Sequence, residues 1–306
     1  MIVDFKNIIL CVCFLGGFSF GEVCAEMGLQ KVRFARGDVD GDGVVEVVAG
    51  GRIGPAVSVD VPRGNRQAGL GVYRAQGELL TGLSVREDLQ VVQDVGAGDL
   101  DGDGDDEIVT VGMGWLTVFG WEEDGISEIG RVALGGVWTD RVAVGDVDGD
   151  GLAEIAVTIY RVDAEAEIGY TRVVIYRWND ALVRDRDWMT RMHVGDLAAS
   201  ANGWILELGA GEEGGELQGV NKSGWPVWQL SVGASPRALS LDVVGNRLAV
   251  GRVDGVIHLY GLETGKPRIV DQRRVPLLSG LLFVPGQGNL ALMVGSYQSG
   301  LLWLGF

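Results

Sequence analysis

Apolar residues along this chain fall in short runs broken by glycine-rich turns. Nowhere do they recur at i, i+3, i+4 and i+7 over a stretch long enough for a convincing helix. Residues 255–261, GVIHLYG, alternate in the manner of a half-buried strand. With Gly 50 against Pro 7, the pattern predicts many short strands joined by tight turns, and therefore an all-β fold. A chain of 306 residues can bury a sizeable core, and large all-β folds fill such a length as one domain.

Three segments are copies of one unit: ARGDVDGDGVVEVVAGG over residues 35–51, GAGDLDGDGDDEIVTVG over 96–112, and AVGDVDGDGLAEIAVTI over 143–159. Eroded copies are expected around Asp196, Asp242 and Val284. Taken as equivalents of Asp38, Asp99 and Asp146, these give intervals of 61, 47, 50, 46 and 42 residues. A period in the forties fits one four-stranded blade of a β-propeller. In the first copy the strands are read at residues 31–35, 44–49, 69–73 and 80–85, with 51–68 as an extended loop. The expectation is a single β-propeller of six four-stranded blades, or seven if the long first interval hides one. The last copy runs out after three strands, so residues 26–30 are expected to pair with the C-terminal blade and close the ring, which removes exposed strand edges.

Acidic residues give a formal charge of −17, and many are clustered in the three turns. Clustered carboxylates repel one another unless a cation neutralises them. In the first turn Asp38, Asp40 and Asp42 stand at positions 1, 3 and 5, the Val44 carbonyl at 7 and Glu46 at 9. The second offers Asp99, Asp101, Asp103, the Asp105 carbonyl and Glu107; the third offers Asp146, Asp148, Asp150, the Leu152 carbonyl and Glu154. A hard cation takes six to eight oxygens, and alternate residues of a tight turn can aim theirs at one centre. Gly41 and Gly43 permit the backbone angles such wrapping needs. An EF-hand would require a bidentate Glu at position 12, where Ala49, Thr110 and Val157 stand. Oxygen-only ligands favour calcium over zinc, in about three sites.

Over residues 31–160 the three copies resemble FG-GAP (VCBS-type) repeats, as in the integrin α-subunit propeller. The resemblance implies calcium in the hairpin between a blade's first two strands, held by the positions just given and keeping that hairpin rigid. The Phe-Gly and Gly-Ala-Pro signature is missing, although Gly37, Gly98 and Gly145 precede the turns. From residue 212 onward, GVNKSGWPVWQL and DGVIHLYGLETGK resemble PQQ-like and WD-like blades, without a counterpart of a quinone site. Residues 31–190 are thus expected to be calcium-binding blades and 191–306 metal-free, degenerate ones.

Lys6, the apolar run 8–20 and Val23-Cys24-Ala25 read as an export signal cleaved after Ala25, with an N-terminal membrane anchor as the alternative. All three cysteines, Cys11, Cys13 and Cys24, lie in that leader. The expected location is extracellular, cell-surface or periplasmic, with no transmembrane segment after cleavage. An acidic surface disfavours nucleic acid, whose phosphates are bound by Lys and Arg. His193 and His258 are the only histidines, and no catalytic triad can be assembled around them. Candidate ligand-facing residues are Arg52, Arg63, Arg66 and Tyr170 in the long loops 51–68 and 161–170, with Trp138 and Trp188 in inter-blade connections of the same face. The reading is a secreted or cell-surface, calcium-stabilised propeller that binds a protein or glycan without catalysis. The alternative is a carbohydrate-active lyase or hydrolase on the same scaffold.

Overall fold

The computed structural model describes residues 29–53, 67–74, 79–85, 92–123, 125–135, 141–163, 168–190, 192–200, 203–211, 214–233, 240–244, 247–252, 255–262, 266–274, 278–285, 290–296 and 300–305. The first sheet runs β1 (Leu29–Gly37), β2 (Glu46–Ile53), β3 (Gln67–Tyr73) and β4 (Leu79–Val85). The second runs β5 (Asp94–Gly98), β6 (Glu107–Gly112), β7 (Trp115–Glu122) and β8 (Gly125–Ala133). The third comprises β9 (Val142–Gly145), β10 (Glu154–Asp163), β11 (Ile168–Trp178) and β12 (Leu182–Thr190). The fourth holds β13 (His193–Ser200), β14 (Trp204–Gly211), β15 (Gly214–Asn221) and β16 (Pro226–Gly233). The fifth holds β17 (Ser240–Val244), β18 (Arg247–Gly251), β19 (Val256–Gly261) and β20 (Arg268–Arg274). A three-stranded sheet of β21 (Leu278–Pro285), β22 (Leu290–Ser296) and β23 (Gly300–Gly305) follows.

Every sheet is an antiparallel meander, and the first strands of successive sheets lie side by side, from β1 through β5, β9, β13 and β17 to β21 and back to β1. The protein is therefore all-β and a single β-propeller. It has five four-stranded blades, where six or seven were expected, and the C-terminal strands form a three-stranded sheet between the fifth blade and the first. The expected N-terminal closing strand is not formed by Leu29 and Gln30: they belong to β1 and pair with Ile53 and Arg52 of β2. The ring closes instead by β21 packing beside β1. Residues 26–28 and the leader lie outside the described residues, as do 54–66, which join the paired ends Ile53 and Gln67.

The core sits between blades. Along β10, Ile155 and Val157 point to the second blade and pack with Val109, Leu116 and Val118, while Ala156 points to the fourth and packs with Val194 and Ile205. Period-two alternation thus feeds two separate apolar layers, which is why the middle strands read as nearly continuous apolar runs. The outer strand β8 has only one buried residue, Ile126.

Glycine precedes each acidic turn because the next blade leaves no room for a side chain there. A Cβ on Gly37 would stand 2.6 Å from Asp106 Oδ2, on Gly98 2.8 Å from Val144 Cγ1, and on Gly145 2.7 Å from the Ala199 Cβ. Leu116 is fully buried between the second and third blades. Leu116→Ala is expected to lower the unfolding free energy by about 2–5 kcal/mol, measured by denaturant titration, because the flanking sheets cannot collapse into the cavity.

Candidate metal centres and axial charge network

The three acidic turns connect β1 to β2, β5 to β6 and β9 to β10, so all three emerge on one end of the propeller. Two glycines per turn take positive φ, Gly41 and Gly43 at 67° and 81°, Gly102 and Gly104 at 85° and 98°, Gly149 and Gly151 at 81° and 94°. This left-handed backbone is open to glycine without steric penalty, and it lets the intervening carboxylates converge. Asp side chains also brace the loop: Gly43 N–H donates to Asp38 Oδ2 (2.9 Å), Val44 N–H to Asp42 Oδ1 (2.8 Å), and Asp105 N–H to Asp103 Oδ1 (2.9 Å).

Oxygens of Asp38, Asp40 and Asp42 lie within 4.8 Å of one another, as do those of Asp99, Asp101 and Glu107, and of Asp146, Asp148 and Glu154. Glu46, Asp103 and Asp150 stand outside these trios. Each position-9 glutamate is buried at the base of its turn, and its Oε2 accepts the N–H of the turn's second residue: Val39 to Glu46 (3.1 Å), Leu100 to Glu107 (2.8 Å), Val147 to Glu154 (2.9 Å). The other oxygen of Glu46 and Oδ1 of Asp38 are buried without a hydrogen-bond partner. Unpartnered buried carboxylate oxygens are costly, and an oxygen-only donor set of this kind fits a hard cation. Burial, opposed by the Val39 N–H and reinforced by the neighbouring aspartates, pushes Glu46 up to about 7. Burial does the same to Glu107, also to about 7.

Successive turns touch. Asp106 N–H donates to the Asp38 carbonyl and Ala153 N–H to the Asp99 carbonyl, both at 2.7 Å, while Asp38 N–H donates to Asp106 Oδ2 at 2.8 Å. The side chain of Asp106 therefore locks the second blade to the first, a role the repeat pattern does not reveal.

The turns are unequal in their cations. Arg177 on β11 sends its guanidinium into the third turn, with Nη1 at 2.9 Å from Asp150 Oδ2, Nη2 at 2.7 Å from Glu154 Oε1, and Nη2 also against Asp148. Arg74 beside the first turn reaches, among the described residues, Asp42 Oδ2 at 3.5 Å.

Asp196 is not an eroded turn aspartate. It lies within β13 opposite Leu208, and the hairpin of its blade is the short link 201–203 between Ser200 and Trp204. Counted back from the last residue of the first strand, Asp196 matches Arg33, Asp94 and Arg141. Asp242 likewise lies within β17, opposite Ala249, and Val284 within β21, opposite Ala291. Arg33, Asp94, Arg141 and Asp196 thus alternate in sign around the axis on four consecutive blades. Arg33 Nη1 lies 3.9 Å from Asp196 Oδ2 and Nε 4.0 Å from Asp94 Oδ1; Arg141 Nε lies 3.7 Å from Asp196 Oδ1. Since β1 and β13 are not neighbours in the ring, the Arg33–Asp196 contact spans the axial channel.

The ligand-face candidates do not gather into one site. Trp188 lies in the outer strand β12, not in an inter-blade connection, and its Nε1–H donates to buried Glu207 Oε1 at 2.7 Å, bracing the third blade on the fourth. Residues 161–163 and 168–170, expected as loop, extend β10 and β11 as a paired ribbon in which Tyr170 faces Arg161 across the ladder. Arg52 is in β2 opposite Ala68, and Arg63, Arg66 and Trp138 lie outside the described residues. His193 packs edge-on against Tyr160 with ring centroids 4.9 Å apart, and His258 Nδ1 is 3.4 Å from the Tyr260 hydroxyl.

Fold and turns together define the class of protein as a β-propeller with acidic hairpin turns. Residues 99–157, from the second turn into β10, match the FG-GAP-like repeat family. No curated protein matches the chain. The fold is similar to that of a crystallised protein of unknown function from Bacteroides caccae, at 14% identity and a TM-score of 0.53, covering 78% of this chain and 86% of that one. It is similar also to BBS1N, crystallised in complex with ARL6DN, at 14% identity and 0.55, covering 91% and 93%. Sqt1 of Chaetomium thermophilum matches at 15% identity and 0.50, covering 89% and 71%. At these identities the likeness is one of fold.

Burial pushes Asp94 up to about 6, against the lowering pull of Arg33 and Arg141 and with Asp196 adding to the rise. Because the folded value exceeds the ordinary 3.8, ionised Asp94 weakens the fold above about pH 6, and the penalty fades as the pH falls toward 4. Asp94→Asn, whose amide oxygen can keep the Val142 N–H bond, is expected to melt a few degrees above the parent at pH 7.5 and to approach it at pH 5, read by differential scanning calorimetry.

Proposed function

We propose that this protein is an exported or cell-surface binding scaffold, a propeller whose acidic turns are fixed by calcium at one end and whose opposite end engages a protein partner without catalysis. The observation that carries the partner reading is the β10–β11 ribbon. Strand β9 pairs with β10 only over Glu154–Val157, and β12 ends opposite Thr171, yet β10 and β11 continue together as far as Asp163 and Ile168. Among the described residues no strand pairs with the outer edges of that ribbon beyond these points, and such edges are a template onto which a partner strand can add. It rises from the end opposite the acidic turns, so a partner there does not compete with the cations.

Support for a protein partner comes also from BBS1N, a neighbour in fold that is crystallised in complex with ARL6DN. Support for calcium comes from the oxygen-only donor sets and the unpartnered oxygens of Glu46 and Asp38. Asp38, Asp40, Asp42, Glu46, Asp99, Asp101, Asp103 and Glu107 would hold the ions, with the Val44 and Asp105 carbonyls. Export rests on residues 1–25 reading as a leader. Among the described residues no helix is long and apolar enough to cross a membrane.

Calcium should raise the melting temperature relative to chelator, and the variant carrying Asp38, Asp99 and Asp146 all changed to Ala should lose that rise. The calcium-dependent difference is the readout, because the same substitutions also remove hydrogen bonds inside the turns. Affinity capture from the source extract should retain a protein partner with the parent and not with a variant in which 160–170 is replaced by a two-residue Asn-Gly turn. Retention of a glycan alone would overturn the choice of partner.

A further inference from the structure

In the first three blades, strand register carried one rung on places one residue, within or just after the third strand, across from the position-9 glutamate. Val47 pairs with Tyr73, Ile108 with Phe119 and Ile155 with Tyr176, so the next rung sets Arg74 against Glu46, Gly120 against Glu107 and Arg177 against Glu154. The three repeats, alike in their turns, differ here. In the third, the guanidinium lies among Asp148, Asp150 and Glu154, and is held from behind by Asp185 Oδ2 on β12 at 3.5 Å. In the second there is no side chain at all. In the first, Arg74 is farther out, with 40% of its side chain exposed, and its ion pair is with Asp42 and not with Glu46.

We propose that Arg177 is a built-in counterion that takes the place of a divalent cation in the third turn, so that an arginine reaching the position-9 glutamate, as Arg177 does and Arg74 does not, keeps calcium out of its turn. The second and first turns take ions and the third does not. This rests on the calcium reading of the acidic turns. The competition is direct, because the oxygens that a hard cation would draw on, those of Asp148, Asp150 and Glu154, are the ones the guanidinium contacts. A positive group tethered to the strand also repels an incoming divalent ion and loses no translational freedom in binding. The third hairpin is consequently ordered with or without calcium, while the first and second depend on it.

The test is the number of calcium ions per full chain, counted by native mass spectrometry across a calcium titration, for the parent, Arg177→Ala and Gly120→Arg. Arg177→Ala should bind one ion more than the parent, with new calcium-dependent hydrogen-exchange protection over residues 146–154. Gly120→Arg should bind one fewer, with protection lost over 99–107. A Cβ at position 120 would meet Ile129 Cγ2 at 3.3 Å, and Ile129 is 39% exposed and free to yield. A parent that already carries an ion in each of the three turns, with no gain in folded Arg177→Ala, overturns this inference and leaves the calcium reading standing. Absence of calcium from all three proteins overturns the calcium reading and the inference with it.

Discussion

The close approach of successive first strands is the constraint on which the rest of this propeller depends. At Gly37, Gly98 and Gly145 the neighbouring blade comes so near that no side chain fits. That spacing lets Asp106 and Ala153 reach back to the carbonyls of Asp38 and Asp99, so the acidic turns form one linked rim instead of three separate loops. The same spacing draws Arg33, Asp94, Arg141 and Asp196 together at the axis.

Charge is then handled in two different ways. At the axis, acids and arginines alternate from blade to blade and neutralise one another, at ion-pair distances of 3.7–4.0 Å in a largely buried setting. Such a network is costly to desolvate, so it adds little net stability. At the rim, each turn concentrates carboxylates, and the second blade adds Asp106 against the first turn. In the third turn relief comes from Arg177, while the first and second turns keep oxygen-only donor sets of the kind that fits a hard cation. The acidic turns and the β10–β11 ribbon thus stand at opposite ends of the propeller.

The repeat, the all-β class, the acidic turns and their paired glycines were legible in the chain because each depends on residues within one hairpin. The eroded copies misled for the same reason. Residues 193–200, HVGDLAAS, carry a Gly-Asp like that of the true turns, but the hairpin of that blade has shrunk to 201–203 and Asp196 belongs to the strand before it. The repeat pattern overstates the blade count because three C-terminal strands resemble a blade awaiting a fourth strand, whereas residues 29 and 30 satisfy their backbone groups in β1.

Sequence by itself determined the elements and the donor spacing, since a β-hairpin and its turn are local and their periodicity and glycines are written in consecutive residues. Tertiary structure decided which charges meet. Arg177 lies 23 residues beyond Glu154, and Arg33 lies 163 before Asp196, separations read directly from their numbers. Only strand register brings the first pair together and only closure of the ring the second. An ion pair across a register or a channel has no sequence period, so its existence waits on the packing of blades, which glycine before each turn permits but does not spell out.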